Sequence, residues 1–182
     1  EALYRSALDA ARVVGDRSLE AYALVNLGMT QGRIGRIDAF GEAIDAALPI
    51  FDAIADKVGT AFALYQRGMA HHAAGAEDLA APFFRRSLEL RQELGESHGV
   101  AQSLEGLAAT VAFAGKGTEG VMLFAAADAL RAAIGVALAG PELDDWQREI
   151  ERARALVGDT AFDDAWSIGR LLTPEQALAE LL

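Results

Sequence analysis

The chain has 182 residues, 52% of them hydrophobic, and a formal net charge of −11. That apolar content excludes a disordered segment, and the acidity opposes direct binding to a phosphate backbone, which needs a basic face. The absence of cysteine removes disulfides, thiolate metal sites and cysteine nucleophiles together.

The acidity is uneven. From position 141 onward ten acids face four arginines, so −6 of the −11 lies in the last 42 residues. It reads as a solvated polar face. No apolar run reaches membrane-spanning length, since Val121–Ala127 is stopped by Asp128. No signal-peptide pattern appears, and a reducing cytoplasm is the expected location. The chain opens on Glu1 inside a helical pattern, as expected of a piece of a longer protein.

In chain order, residues 1–14 form one helix, with Tyr4, Ala7 and Leu8 on its apolar side. From there the sequence lines up with itself at a shift of 40 residues. Gly15, Ala55, Gly95 and Gly135 make one column, and Gly35, Gly75 and Gly115 a second. A fixed period of this size predicts a repeat array. The first unit, 16–54, reads as two helices: Leu24, Leu27, Gly28 and Gln31 recur at helical spacing, Gly35 is a left-handed stop, and Phe40, Ile44, Ala47, Leu48 and Phe51 share a face. Pro49, late in that second helix, removes a bond to Asp45, which predicts a kink or an early end.

The second unit, 56–94, repeats the plan with Leu64, Gly68 and His71, then Gly75, then Ala80, Phe84, Ser87 and Leu88. Glycine inside a helix costs about 1 kcal/mol relative to alanine. Its recurrence at Gly28 and Gly68 therefore predicts close approach of the paired helix. The third unit, 96–134, carries Leu104, Leu107, Ala108 and Val111, then Gly115, then Phe124 and Ala127. Residues 1–14 match only the second helix of a unit, so they count as a half repeat: Tyr4, Ala7 and Leu8 align with Ile44, Ala47 and Leu48.

The period stops near Gly135, and residues 136–182 read as helices that cap the array. Pro141 opens one with Leu143, Trp146, Ile150, Ala153 and Val157 as its stripe. A shorter helix turns Phe162, Ala165 and Trp166 inward. Thr173-Pro174-Glu175-Gln176 is a capping box for a last helix through Leu182.

These columns resemble the tetratricopeptide repeat: Leu-x-x-Leu-Gly, glycine seven residues on, then small, bulky and small residues. Leu64, Gly68, Gly75, Ala80, Phe84 and Ser87 carry the likeness best. Phe40 stands in the first unit where a small residue is expected; Ala108 and Gly120 are milder departures in the third. The resemblance implies an all-α fold, a right-handed superhelix of antiparallel helix pairs over residues 1–135 with a C-terminal helical cap. A narrower likeness covers 16–182. Gly95-Glu96-Ser97, Gly106-Leu107-Ala108-Ala109, the stretch from Phe124 to Arg131, and Ala161-Phe162-Asp163-Asp164-Ala165-Trp166 resemble the repeat region of large bacterial signalling ATPases. Those proteins join a P-loop ATPase to such repeats and to a DNA-binding, antibiotic-regulator-type or cyclase domain. The resemblance implies a sensor or interaction arm that binds a protein or peptide. Neither a P-loop nor a recognition helix is present in this stretch.

No catalytic, cofactor or metal residue is assigned. Adjacent helical residues point about 100° apart, so His71 and His72 cannot face one metal; His71 is expected toward the partner helix and His72 away from it. His98 reads as surface, and the pairs Asp144-Asp145 and Asp163-Asp164 as solvated helix residues. No G-x-x-x-x-G-K-[ST], G-x-S-x-G or H-E-x-x-H occurs.

The candidate surface is the side of each first helix opposite its packing column. It carries Tyr22, Val25, Met29 and Arg33 in the first unit, Phe62, Tyr65, Met69 and His72 in the second, and Gln102, Glu105 and Ala109 with Ala112 in the third. In tetratricopeptide arrays such stripes line the concave face, and aromatic and methionine side chains suit an adaptable groove for a helix or peptide. The lysine and asparagine clamp of chaperone-binding members is missing: Val25, Met29, Tyr65 and Met69 occupy those columns. The stripe could instead be covered by curvature or by the chain's own last helices. Two other functions stay open, a homodimer through the half repeat at 1–14 and a small-ligand receptor with a closed polar pocket.

Overall fold

The computed structural model describes residues 1–181, with side chains through Ala179. It is all-helical, with no strand among the described residues. The helices are α1 (Ala2–Val14), α2 (Arg17–Arg33), α3 (Ile37–Ala53), α4 (Lys57–Ala73), α5 (Glu77–Leu94), α6 (Ser97–Phe113), α7 (Gly117–Ile134), α8 (Pro141–Val157), α9 (Asp159–Gly169) and α10 (Pro174–Leu181). The chain divides into two compact units, Glu1–Leu90 and Arg91–Leu182, with the boundary inside α5.

The turns explain the regular helix lengths. Gly15, Gly35, Gly75, Gly95, Gly115 and Gly135 all have φ between 68° and 96°. Ala55, with φ 54°, is the one described non-glycine at positive φ. Together they place a left-handed residue every 20 positions, so the two sequence columns interleave into a single series of helix stops. Two starts in one column are fixed by side chains. Asp16 accepts from the Leu19 amide at 2.9 Å, and Asp56 from the Gly59 amide at 2.8 Å.

In the first unit α1 packs on α2, α2 on α3 and α3 on α4. Leu24, Ile44, Ala47, Ile50 and Phe51 form its core, and Val25 lies fully inside it. Gly28 lets the helices close: a β-carbon there would sit 3.1 Å from both the Ala43 Cβ and the Phe40 carbonyl. Phe40 fits where a small residue was expected because α2 yields space twice. Its ring lies 2.7 Å from where a Gly32 β-carbon would be and 3.3 Å from that of Gly28. Gly68 plays the same part against the Phe84 ring at 2.8 Å, and Ser87 Oγ ties α5 to α4 by donating to the Ala61 carbonyl at 2.7 Å.

The early end expected at Pro49 does not occur. α3 runs four residues past it to Ala53 and is as long as α2. The proline and Asp45, whose carbonyl loses its helical donor, are both exposed residues, where such a loss costs least.

In the second unit α6 and α7 pack along their length. Leu104, Leu107, Leu123 and Phe124 are fully buried, and Gly120 leaves no room for a β-carbon, which would fall 2.5 Å from the Ala112 Cβ and 2.7 Å from the Ala108 carbonyl. α8, α9 and α10 all pack on α7. Phe162 and Ala165 turn inward as expected, and Phe162 stacks on Trp166 at 5.4 Å. The capping box is reciprocal: the Thr173 amide donates to Gln176 Oε1 at 2.9 Å, and the Gln176 amide to Thr173 Oγ1 at 3.2 Å. The expected end of that helix at Leu182 lies outside the described residues.

Candidate functional site

The stripe residues fall into three environments. In the first unit Val25 is fully buried and Arg33 is exposed. Between these extremes, Tyr22, Met29, Phe62 and Met69 are half-buried and packed against the core cluster. The Tyr22 ring meets Phe51 edge-on at 4.8 Å, and its hydroxyl donates to the Asp56 carboxylate at 3.1 Å. Tyr65, also half-buried, tilts against Phe84 at 5.6 Å. Each aromatic therefore rests one side on the core and keeps a minor part of its surface in water.

The histidines do not divide as the helical spacing predicts, because both reach α5. His71 stacks on Phe83 of α5 at 5.3 Å, and burial, reinforced by the nearby Arg67 charge, holds its imidazole below the ordinary value of 6.5. His72, expected to face away from that helix, also reaches it: its Nδ1 lies 2.8 Å from the carboxylate of Glu77, the first residue of α5. Asp145 pairs with Arg148, and Asp163 with Arg154. These exposed acids serve local ion pairs and do not converge.

In the second unit the stripe is mostly inside. Ala109 is buried, as is Ala112 beside it. Gln102 is half-buried and accepts from Arg91 at 3.2 Å. Glu105 grips Arg131 with both oxygens, at 2.5 and 2.7 Å, and His98 Nδ1 lies 3.3 Å from the same guanidinium. Burial pushes the Glu105 carboxyl above its ordinary value of 4.5, opposed by Arg131 and helped by the charges of Glu142 and Asp128.

The two buried arginines were missed in the sequence, although it carries a signal. Ala11, Phe51, Arg91 and Arg131 occupy one 40-residue column. The first two are fully buried core residues, and the arginines are almost as deep, at 4% and 5% exposure. A charge standing in an apolar column must bring its own acceptors. Arg91 finds the Gly99 carbonyl at 2.6 Å and Ser103 Oγ at 3.3 Å; Arg131 finds Glu105.

Two shallow grooves share Trp146. One, of about 320 Å³, runs between α8 and α9 beside Phe162 and Trp166. The other, of about 390 Å³, lies between α8 and the end of α7 beside Arg131 and Leu138. Among the described residues no three histidine or carboxylate side chains gather as a metal site would require, and no helix is long and apolar enough to cross a membrane.

No protein-family model matches the chain, and no curated protein matches it.

Proposed function

We propose that this chain is a protein-interaction module of the tetratricopeptide type. Its half-exposed stripe would receive a helix or peptide of a partner, as the sensing arm of a bacterial multidomain regulator. The observation that carries the reading is the strict spacing of left-handed turns, every 20 residues from Gly15 to Gly135, which is the spacing a series of equivalent helix pairs requires. Equivalent pairs present equivalent faces, and in the first unit that face carries Tyr22, Met29, Phe62, Tyr65 and Met69, each partly in water. Large, adaptable side chains in that state gain by further burial, at about 25 cal/mol per Å² of apolar surface. In this reading the right-handed superhelix, the cytoplasmic setting and the link to an ATPase switch follow from the family likeness. Binding would act by preferring one state of the larger protein.

The test is position-specific crosslinking. A photoreactive residue at position 65 in cells of the source organism should capture a defined protein that the same residue at position 86 does not. Met69→Glu should abolish the capture while the purified variant keeps its helical circular dichroism. Equal capture from both positions, or none from 65, would remove the stripe as the binding face.

A further inference from the structure

The stripe of the first unit has a spacing of its own. Tyr22 and Met29 stand seven residues apart on α2, and Phe62 and Met69 seven apart on α4. All four are half-buried against the core cluster, and α2 packs on α4. Seven helical residues make two turns, a rise of about 10.5 Å. Both helices therefore offer large apolar side chains at the same interval. A helix laid along them meets that interval with its own residues at i and i+7. An extended segment repeats one face about every 6.7 Å and falls out of step.

The charges at the stripe are unequal. Asp56 accepts from the Tyr22 hydroxyl at 3.1 Å and from the Gly59 amide at 2.8 Å, and Glu77 lies 2.8 Å from His72 Nδ1. Both acids that touch the stripe are thus engaged within the chain. Arg33 is not. It is exposed, and among the described residues no hydrogen bond or ion pair reaches it. It stands four residues past Met29 and eleven past Tyr22, on the same side of α2. In a chain of net charge −11, this face ends on a cation. Exposed charges are screened beyond about 8 Å at physiological salt, so Arg33 rather than the net charge sets the sign that a docked side chain meets there.

We propose that the stripe takes an amphipathic helix of a partner protein, with large apolar residues at i and i+7 and a side-chain carboxylate four residues beyond one end of that pair, set over Arg33. The inference rests on the stripe being the binding face, and adds the partner's conformation, spacing and charge. A guanidinium holds a carboxylate through two parallel hydrogen bonds, so the pair also fixes which end of the bound helix lies at Arg33. The chain's own α8 does not supply the pattern. It has Leu143 and Ile150 at the right interval, but neither Ala139 nor Arg154, four residues to either side, is an acid.

The test adds charge variants to the crosslinking at position 65. Arg33→Glu should lower capture of the protein that Met69→Glu loses by about fivefold or more, because it sets like charges together. Arg85→Glu, the same change of charge at an exposed arginine of α5, should lower it by less than about twofold. Both side chains are exposed, so the two variants should melt at the native temperature. Mass spectrometry of the joined product should place the label in a segment that carries the apolar pair and an Asp or Glu four residues beyond it. A synthetic peptide of that segment should gain helical circular dichroism on titration with the protein, and should bind the Arg33→Glu variant better once its acid is exchanged for lysine. Capture that is lost with Met69→Glu but equal in Arg33→Glu and Arg85→Glu leaves the stripe standing and overturns this inference. So does a joined segment without the acid, a peptide that stays non-helical when bound, or a label joined to another part of the same chain. No capture from position 65 removes the stripe, and the inference with it.

Discussion

At the scale of single residues, position 55 departs from its own column. Its neighbours in the series are glycines, and Ala55 holds φ 54° with a β-carbon that the left-handed region disfavours by about 1–2 kcal/mol. Glycine loses part of that advantage through its freer unfolded chain. Ala55→Gly is therefore expected to stabilise the protein by about 0.5–1 kcal/mol, read from chemical denaturation. A destabilised variant would mean that the methyl group makes a contact worth more than the strain. Glu105 supplies a pH-dependent test. Its folded pKa is raised, so its contribution to stability is complete below the ordinary glutamate value of 4.5 and is lost as pH rises through the folded value. The stability of the native protein relative to Glu105→Gln should therefore fall as pH rises above 4.5 and then level off. A relative stability that climbs with pH would show that the Arg131 pairing outweighs burial. Neither residue was legible as special in the sequence. Ala55 was seen only as a column member, and Glu105 was placed on an open stripe because its partner stands 26 positions away on another helix.

At the scale of helices, much more could be read in advance. The glycine columns, the leucine spacing and the capping box at Thr173 depend on neighbours within one turn or on the fixed period, and the structure shows each of them. The early end expected at Pro49 does not occur, because the penalty for proline depends on the surroundings of the orphaned carbonyl, which a local pattern does not record. Phe40 looked like a departure from the repeat until Gly32, four residues after Gly28, was seen to make room for its ring. Helix crossings of this kind respond sharply to added volume. Gly120→Ala would drive a methyl group into the Ala108 carbonyl and the Ala112 Cβ, and overpacking of this kind costs about 1–3 kcal/mol. A thermal melt of Gly120→Ala beside Ala132→Gly, an exposed change on the same helix, should show the first as the larger loss. Leu64 is half-buried, so a charge there is less damaging than at a site with no exposure; Leu104→Asp is the variant expected to abolish folding.

At the scale of the whole chain, burial is distributed unequally among the helices. α6 hides apolar residues on nearly every side, from Val100 to Ala112, whereas α1 hides only Leu8 and Ala11. Local opening follows buried contact, so amide exchange should be slower in α6 than in α1. Equal protection of the two would mean that buried contact does not set local opening in this chain. This inequality also marks the limit of what the period could reveal. A repeat pattern predicts equivalent helices, but the stripe is half-open in α2 and α4 and largely closed in α6, because Val100, Ala101, Ala109 and Ala112 are small or compact enough to be enclosed.

The turns carry one more consequence. At Gly15, Gly35, Gly75, Gly95, Gly115 and Gly135 the backbone bends in the left-handed sense, which an L side chain rarely adopts whatever the space around it. Those are the conditions under which a mirror-image amino acid rests at its own energy minimum. A version assembled by chemical ligation could carry D-alanine at each of these six corners, its methyl taking the glycine's other hydrogen position, which would narrow the random coil and resist proteases that accept only the natural hand.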